Sequence, residues 1–400
     1  MPIDLGLAIL RPDYHGQRIA VMEHPRGLSR QAIEHFSGID PLREPQRLNE
    51  AFRRIAEVFE IDLLWGDGLP TNAALSDTPS ALGYEEIFDW DDGQTIKKTR
   101  DGLEVVQWGI FGAVHQEDGR HFVHVPKPQG VDEALAFEPL KYFPKTVEQY
   151  RADFARQYEQ MLQSVGEIAY PLPHHYTTCF HWPLAIFGFE LLCEAGMEED
   201  RFGRLMERFA EISLRIATAW SQVEGLRGFI FHDDLTMTSG PVFPPAWYRR
   251  HIFPHYPAIF APLRQRGVPI IFTSDGDCSA FVQDIFAAGA EGLNFEYLVD
   301  LQRVVREYPD KIIIGNINSA TLAGGSIREI EREATRCIEI GCQAPRFVAN
   351  IGGGLTHTMP VRNLEAYLVL RRDLCRRARP ARGNTLVSGG NPKRTFSKEQ

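Results

Sequence analysis

The chain has 400 residues, of which 44% are hydrophobic, and a formal net charge of −10 at neutral pH. The apolar content suffices for a large core, and the acidic balance provides no basic field that would attract nucleic acid. No apolar run reaches the roughly 20 residues that cross a bilayer, and no secretory signal is recognisable, so we expect a cytoplasmic protein with a small-molecule substrate. The six cysteines contain no Cys-x-x-Cys pair, which favours free thiols.

Short β-branched runs alternate with helix-length amphipathic segments along the chain. This alternation is typical of a parallel sheet covered by helices. In chain order the predicted strands are residues 19–22, 61–65, about 168–172, 226–231, 268–272, 292–295, 312–315 and 347–351. Because eight parallel strands close a barrel, the sequence predicts an α/β fold of the (β/α)₈ TIM-barrel class.

Two of the intervening helices are predicted together with their ends. Residues 279–288 carry apolar side chains at helical spacing and are followed by Gly289, a suitable terminating glycine. Residues 326–340 begin with Ser326 and place Glu329 where a capping box requires it. Both segments therefore have local start or stop signals.

Two regions fall outside the strand and helix alternation. Residues 90–125 alternate polar and apolar side chains around Asp101-Gly102, which predicts a β-hairpin inserted after the second strand. Residues 379–400 are basic and nearly free of large apolar groups. We therefore expect one barrel domain over residues 1–378, followed by a disordered basic tail.

Polar side chains follow every predicted strand, at the end where barrel enzymes hold their reaction site. The groups at these strand ends are Glu23, His24 and Arg26, then Trp65 and Asp67, His175 and Tyr176, His232 and Asp234, Asp275, Glu296, Asn316 and Asn350. A carboxylate-rich pocket of this kind binds a divalent metal, holds a cation or supplies acid and base groups with shifted pKa values. The residues alone leave these three uses open.

Several of these groups also have a purely structural interpretation. One of Asp275 and Asp277 is expected to cap the next helix, and we take Asp275 as the inward group. Glu296 ends an apolar run, so it needs a buried partner or a metal, unless it forms a surface ion pair. Arg26 and Arg30 lie four residues apart, a spacing that suits either a carboxylate clamp or a solvated helix face.

Two further segments have a functional and a structural interpretation each. The aromatic-rich residues 174–182, which include His181, either line a pocket for a planar ligand or pack under a loop. The three glycines 352–354 form either an anion-binding nest of N–H groups or a simple tight turn.

The carboxyl-terminal half contains six short motifs in a fixed order. They are His232-Asp233-Asp234-Leu235, residues 244–248 leading into Phe253-Pro254, residues 271–277, residues 292–296 with Val299-Asp300-Leu301, Gly315-Asn316-Ile317-Asn318, and residues 349–355. In this order the motifs resemble the uroporphyrinogen decarboxylase superfamily. The resemblance implies a (β/α)₈ barrel, used by decarboxylases of the tetrapyrrole pathway and by methyltransferases that move a methyl group between a small substrate, a corrinoid and a thiol.

The chain departs from both of these branches at specific positions. The Arg-Gln-Ala-Gly-Arg of the decarboxylases becomes Arg26-Gly27-Leu28-Ser29-Arg30, their Gly-His-Gly becomes Gly352-Gly353-Gly354, and their central aspartate corresponds to Asp67. The zinc-binding His-x-Cys and later Cys of the thiol-activating methyltransferases become Thr273, Asp275 and Gly353. What remains resembles the branch that demethylates small methylated compounds.

The resemblance therefore implies an enzyme that transfers a methyl group from a small substrate to a corrinoid carried by a partner protein, with a homodimer as the expected assembly. The predicted catalytic residues are His232, Asp234, Asp67 and Asn316, and the predicted substrate contacts are His24, Arg26, Trp65, His175, Tyr176 and Asn350. A divalent metal, zinc first, is predicted at Asp275 and Glu296, with His232 or Asp234 as further ligands. The alternatives are a uroporphyrinogen decarboxylase and a barrel that binds a small ligand without catalysis.

Overall fold

The structure is a computed structural model that describes residues 2–16, 18–41, 43–66, 69, 125 and 127–378, together with the backbone of five strands between residues 84 and 124. Asp67 and the predicted tail over residues 379–400 lie outside the described residues. Within the described part, no helix has both the length and the apolar character that a membrane span needs.

The strands and helices alternate along the chain. The strands are β1 (Ala20–Glu23), β2 (Leu63–Trp65), β3 (Tyr84–Asp89), β4 (Gln94–Thr99), β5 (Glu104–Val106), β6 (Val114–Gln116), β7 (Phe122–His124), β8 (Tyr170–Leu172), β9 (His174–His175), β10 (Phe229–His232), β11 (Thr236–Met237), β12 (Gly240–Pro241), β13 (Ile270–Ser274), β14 (Gly292–Phe295), β15 (Ile312–Asn318) and β16 (Phe347–Gly352). The helices are α1 (Pro2–Ile9), α2 (Arg30–Ser37), α3 (Leu48–Val58), α4 (Val131–Leu135), α5 (Val147–Val165), α6 (His181–Phe187), α7 (Phe189–Gly196), α8 (Glu199–Ser221), α9 (Pro245–His251), α10 (Tyr256–Gln265), α11 (Val282–Ala288), α12 (Leu301–Glu307), α13 (Ser319–Gly324), α14 (Ile327–Gly341) and α15 (Val361–Arg377).

The main sheet has nine parallel strands in the order β8-β2-β1-β16-β15-β14-β13-β10-β9. β8 and β9 are two halves of one extended segment, separated by Pro173, which has no N–H group for a sheet ladder. Because β8 pairs with β2 and β9 pairs with β10, the sheet returns to the segment where it began. The predicted (β/α)₈ TIM-barrel class is confirmed, and each of the eight predicted strands is present within a few residues of its expected bounds.

The barrel interior is filled by mainly aliphatic side chains from alternate strand positions. These are Ala20, Met22, Leu63, Tyr170, Leu172, Ile230, Ile271, Ile312, Ile314 and Val348, joined by Ile9 and Leu10 at the end of α1. The other strand positions, such as Phe229 and Phe231, pack outward against the helices. Since successive strand residues point to opposite faces, His232, two positions after the inward Ile230, enters the barrel mouth.

The local signals for helix ends operate as expected. Ser326 Oγ accepts a hydrogen bond from the Glu329 N–H, and the Glu329 carboxylate accepts one from the Ser326 N–H at 2.8 Å. The helix over residues 279–288 begins at Val282, later than predicted, and ends at Gly289, whose φ of 111° favours glycine. The capping box and the terminating glycine were therefore readable from local sequence.

The backbone between residues 84 and 124 forms two small antiparallel sheets. β3, β4 and β5 form one, and β6 and β7 form the other. The residues that connect these strands lie outside the described part of the chain. The hairpin insertion over residues 90–125 therefore stays a prediction.

Candidate active site

The carboxyl ends of the strands gather ionisable and aromatic side chains around the open mouth of the barrel. His232 ends β10 two positions after the inward Ile230, and it pairs in register with Thr273 on β13. Glu296 directly follows β14. We call the following set the mouth cluster: Tyr176, His181, His232, Asp234, Asp275 and Glu296.

Asp234 lies between two imidazole rings at the centre of the mouth cluster. Its Oδ1 is 2.8 Å from His232 Nε2, and its Oδ2 is 3.3 Å from His181 Nδ1. Burial alone would lower the pKa of His232, but the negative charges of Asp234 and Asp275 outweigh it and raise this pKa to about 9. In turn, although burial opposes it, the charge of His232 lowers the pKa of Asp234. At neutral pH the two side chains therefore form an imidazolium–carboxylate pair.

Two more carboxylates extend this charge toward solvent. The Asp275 N–H donates to Asp234 Oδ1 at 3.3 Å, and Glu296 Oε2 accepts a hydrogen bond from the Gly276 N–H at 2.9 Å. The Asp275 side chain reaches solvent at the mouth. Surrounding protein, together with Asp234 and Glu296, nevertheless raises the pKa of Asp275 to about 6, against the opposing charge of His232. The mouth therefore concentrates negative charge beside the two histidines.

Aromatic rings enclose His232 on several sides. The Tyr176 ring contacts His232 edge-on with centroids 4.1 Å apart, and the Trp65 ring does so at 5.8 Å. His181 lies 5.9 Å from His232 by the same measure. Such rings exclude water and offer flat apolar surface for a small planar ligand.

Asp233 points away from the mouth and holds the first turn of α6. Its carboxylate accepts hydrogen bonds from the N–H groups of Cys179, Phe180 and His181 at 2.7, 2.9 and 2.6 Å, and from the Tyr256 hydroxyl at 2.7 Å. Burial raises the pKa of Asp233 to about 6, although these hydrogen bonds act in the opposite direction. Asp233 thus fixes the position of His181 relative to the end of β10.

His181 is missing from the residues chosen at the strand ends, because it belongs to the helix after the third strand. The sequence signal for His181 is its place in the aromatic-rich residues 174–182, directly before Trp182. Its contact with Asp234 joins positions more than 50 residues apart, which no local pattern shows.

The structure places His175 on the outer face of its strand and not in the mouth cluster. Tyr176 follows it directly and points inward, so the two adjacent side chains face opposite ways. His175 Nε2 lies 3.2 Å from Ser213 Oγ, and its ring packs against Trp182 and Phe231. Burial and nearby histidines lower the pKa of His175 to about 3, so it is a neutral core residue.

The two predicted asparagines bind backbone groups of neighbouring segments. Asn316 donates to the carbonyl oxygens of Glu296 and Val299 at 3.2 and 2.9 Å and accepts from Arg336, so it supports the loop after β14 from outside the barrel. Asn350 donates to the Met22 carbonyl oxygen at 2.8 Å, which links β16 to β1. Neither contact brings these side chains to Asp234.

His24 and Arg26 lie at the rim, in the turn that follows β1. Both are half-buried. A Cβ atom added to Gly27 would approach the Leu355 carbonyl oxygen to 2.2 Å, and one added to Gly354 would lie 4.0 Å from His24 Cβ. The turn after β1 therefore packs tightly on the glycine turn after β16, and Arg26 remains a rim residue.

Glu23 faces away from the mouth, into the layer between the barrel and α15. It is fully buried, and burial raises its pKa to about 8, although the charge of Arg371 lowers it. Arg371 and Tyr367 lie on α15, and Arg371 donates a hydrogen bond to the Phe59 carbonyl oxygen. We call Glu23, Tyr367 and Arg371 the outer cluster.

The mouth contains one arrangement that suits a metal ion. Among the described residues, His181, His232 and Asp234 form one group whose ligand atoms all lie within 4.8 Å of one another. Asp275 and Glu296 lie beside this group but are not part of it. Metal binding by Asp275 and Glu296 therefore stays a prediction.

Comparison with known proteins gives the same architecture. The chain is similar to a methyltransferase from Methanosarcina mazei, with a TM-score of 0.55, 16% identity, and coverage of 92% of this chain and 97% of that one. At this identity the similarity concerns the fold. The class that fold and site define is an α/β barrel with an ionisable cluster at the carboxyl ends of its strands.

Residues 190–374 match the family model described as uroporphyrinogen decarboxylase (URO-D). Uroporphyrinogen decarboxylases of Pelobacter propionicus and Thermus thermophilus are 24% and 26% identical over 165 and 179 residues, which is 41% and 44% of this chain. The matches cover 46% and 50% of those proteins, so the chain spans about half the length of the curated relatives it matches. The resemblance found in the motifs is thus confirmed over residues 190–374.

Proposed function

We propose that the chain is a methyltransferase that takes a methyl group from a small methylated substrate and passes it to a corrinoid carried by a partner protein. The observation that carries the proposal is the mouth cluster, in which three carboxylates and two histidines surround an open, partly aromatic site. The family match and the barrel shared with a methyltransferase support an enzyme of this superfamily.

The arrangement suits removal of a methyl group from an oxygen or nitrogen atom. The bond between the methyl carbon and the heteroatom breaks, its electron pair stays on the heteroatom, and the demethylated product takes up a proton. A reduced corrinoid, when bound, supplies the nucleophile that accepts the methyl group. A divalent metal, zinc first, supplies when bound a Lewis acid that stabilises the charge left on the heteroatom.

The chain's own residues would position the substrate. Trp65 and Tyr176 provide flat apolar walls next to His232, which suits an aryl ether or a small methylated amine. Asp234, Asp275 and Glu296 give the site a negative potential. That potential attracts cations and disfavours a substrate with many carboxylates, such as a porphyrinogen.

The proposal is tested with the purified chain, its reduced corrinoid protein and a panel of aryl methyl ethers and methylamines. We expect at least one substrate to methylate the corrinoid, and the absorption spectrum of the corrinoid measures this methylation. The Asp234→Asn variant should lose this activity, whereas Asp277→Asn should keep it, because Asp277 accepts the Ser279 N–H and contacts no member of the mouth cluster. Absence of transfer from every substrate would contradict the proposal.

Decarboxylation of uroporphyrinogen is the second candidate, because the curated relatives quoted above are named uroporphyrinogen decarboxylase. If the purified chain converts uroporphyrinogen and the Asp67→Asn variant does not, decarboxylation would replace methyl transfer as the favoured function. The glycines 352–354 and the acidic mouth are the features that place it second.

Assembly and organisation belong to the same proposal. A single domain over residues 1–378, a cytoplasmic location and a homodimer are the expected setting for the enzyme. Light scattering on the purified chain checks the dimer. A barrel that only binds a small ligand is the remaining alternative, and it needs no stoichiometric metal.

A further inference from the structure

Three potential metal ligands converge from two different elements of the barrel. His232 and Asp234 stand at the end of β10, and His181 is the first residue of α6. The His181 Nδ1 to Asp234 Oδ2 distance is 3.3 Å. Two donors on a tetrahedral zinc ion, each bound at about 2.0–2.1 Å, lie about 3.3 Å apart. The spacing of this pair therefore already matches a zinc site.

Unsatisfied polar atoms lie next to this place. His232 is 2% exposed and Thr273 is 3% exposed, and neither His232 Nδ1 nor Thr273 Oγ1 has a hydrogen-bond partner among the described residues. Both side chains belong to adjacent inward positions of β10 and β13. Buried polar atoms are normally satisfied, so these two indicate an additional polar group beside the ligands, on the Nδ1 side of the ring, while His232 Nε2 faces Asp234.

The charge around this place also favours a cation. Asp234, Asp275 and Asp233 act on His232, and Glu296 lies next to Asp275. In the present arrangement His232 and Asp234 share one proton across 2.8 Å. A dication in place of that proton would balance more of the negative charge and leave both imidazoles neutral, as metal ligands must be.

We propose that His181, His232 and Asp234 bind one divalent transition-metal ion, with zinc as the best match to two imidazoles and one carboxylate. Three protein ligands leave a fourth position that faces the mouth, where a substrate heteroatom can bind. Asp275 and Glu296 then attract the ion without binding it directly. The catalytic role of the ion rests on the proposed function. Binding of the ion does not, because it is measured without substrate.

Asp233 acts on this site as a positioning residue. It accepts the N–H groups at the start of α6, so its carboxylate sets the distance between His181 and the end of β10. Outer partners of this kind orient metal ligands, and their loss typically weakens affinity about 10–100-fold. The sequence His232-Asp233-Asp234 thus alternates a ligand, a positioning residue and a second ligand.

The assignment is tested on the full chain, stripped with a chelator and then titrated with Zn²⁺ and with Co²⁺. We expect one ion per chain by elemental analysis and a visible Co²⁺ absorption typical of tetrahedral coordination. His181→Gln, His232→Gln and Asp234→Asn should each weaken Zn²⁺ affinity about 100-fold or more, while Asp275→Asn and Glu296→Gln should keep one ion per chain. Circular dichroism of each variant verifies that the barrel is folded.

Absence of stoichiometric binding to the wild-type chain would overturn the assignment. So would loss of the ion in Asp275→Asn or Glu296→Gln with full retention in His181→Gln. Neither result depends on methyl transfer, so a failure here is distinguishable from a failure of the proposed reaction.

Asp233→Asn tests the positioning role separately. We expect Zn²⁺ affinity to fall about 10–100-fold, with a changed Co²⁺ spectrum. Tyr256→Phe is the matched control, because it removes the 2.7 Å hydrogen bond to the same carboxylate and leaves the three bonds to α6 in place. If Asp233→Asn and Tyr256→Phe lose Zn²⁺ affinity equally, Asp233 does not have a specific role in placing His181.

Discussion

The mouth cluster and the outer cluster both stand at the carboxyl ends of barrel strands, yet they face opposite sides of the sheet. In the mouth cluster, Asp234 meets two histidines beside solvent. In the outer cluster, Glu23 and Arg371 are sealed between β1 and α15, with Arg371 only 1% exposed. Charged side chains thus form a site that a ligand can reach in the mouth cluster, whereas in the outer cluster they support the packing of a helix. The difference teaches that access of the carboxylates to solvent, not composition, separates a candidate site from a buried structural cluster.

The largest effect is expected from Arg371→Met. Removal of the guanidinium leaves the buried Phe59 carbonyl oxygen without its donor and removes the charge that favours the ionised form of Glu23, which should cost about 1–3 kcal/mol of unfolding free energy. Urea denaturation measures the loss. The double variant with Glu23→Leu should recover part of it, because a buried Leu needs neither a proton nor a hydrogen-bond partner. A loss below about 1 kcal/mol in the single variant would show that the outer cluster is not structural.

His232→Gln is expected to affect activity and to leave the fold nearly intact. The rate of methyl transfer should fall about 100-fold or more, because His232 is a proposed ligand of the metal ion that stabilises the charge left on the heteroatom. Its unfolding free energy should change by no more than about 1–2 kcal/mol, because Gln keeps a polar side chain that can still form a hydrogen bond to Asp234. Steady-state kinetics and urea denaturation on the same preparation give both values. Collapse of the fold with this variant would remove the distinction between the two clusters.

The outer cluster should make stability depend on pH. Burial raises the pKa of Glu23 from 4.5 to about 8, so the folded chain holds this proton more tightly than the unfolded chain. Stability should therefore be highest below about pH 4.5 for this group and should fall as pH rises toward 8. Glu23→Gln should flatten this slope, whereas the exposed Glu307→Gln should not. Urea midpoints at pH 5 and pH 8 compare the variants, and an unchanged slope would contradict the assignment.

The smallest effect is expected from an ion pair outside both clusters. Arg303 and Glu307 lie one turn apart on α12, with Nε 3.1 Å from Oε2 and side chains 54% and 36% exposed. Arg303→Met should lower the unfolding free energy by about 0.3–0.5 kcal/mol, and high salt should remove most of this difference. A loss comparable to that of Arg371→Met would show that burial is not what separates these pairs.

Local patterns in the sequence predicted the scaffold well because they act over a few residues. Short apolar runs such as 229–231, alternating with helix-length segments, located the strands, and the capping box of Ser326 and Glu329 located α14. The same patterns lose their meaning just past a strand end. There the backbone leaves the sheet, so the strand alternation does not extend to His232-Asp233-Asp234. The sequence therefore does not predict that the Asp233 carboxylate points away from the barrel mouth.

Two features of the candidate site depended on contacts between distant segments. Asp275 lies beside Asp234, as expected from the strand order. The expectation that one aspartate caps the next helix is wrong, because α11 begins at Val282 after Phe281 and Asp277 accepts the Ser279 N–H in the turn before it. His175 and Asn316 were chosen because they follow strands, but their side chains project to the outer face. Choosing between the two faces required the register of each strand with its neighbours.

The sequence by itself determined that eight short strands and their covering helices form a barrel, because hydrophobic periodicity fixes which face of each element is buried. Only the tertiary structure decided that His181 contacts Asp234 and that Glu23 is buried near Arg371. These neighbours are about 50 and nearly 350 positions apart in the sequence, and closure of the sheet, not local preference, brings them together.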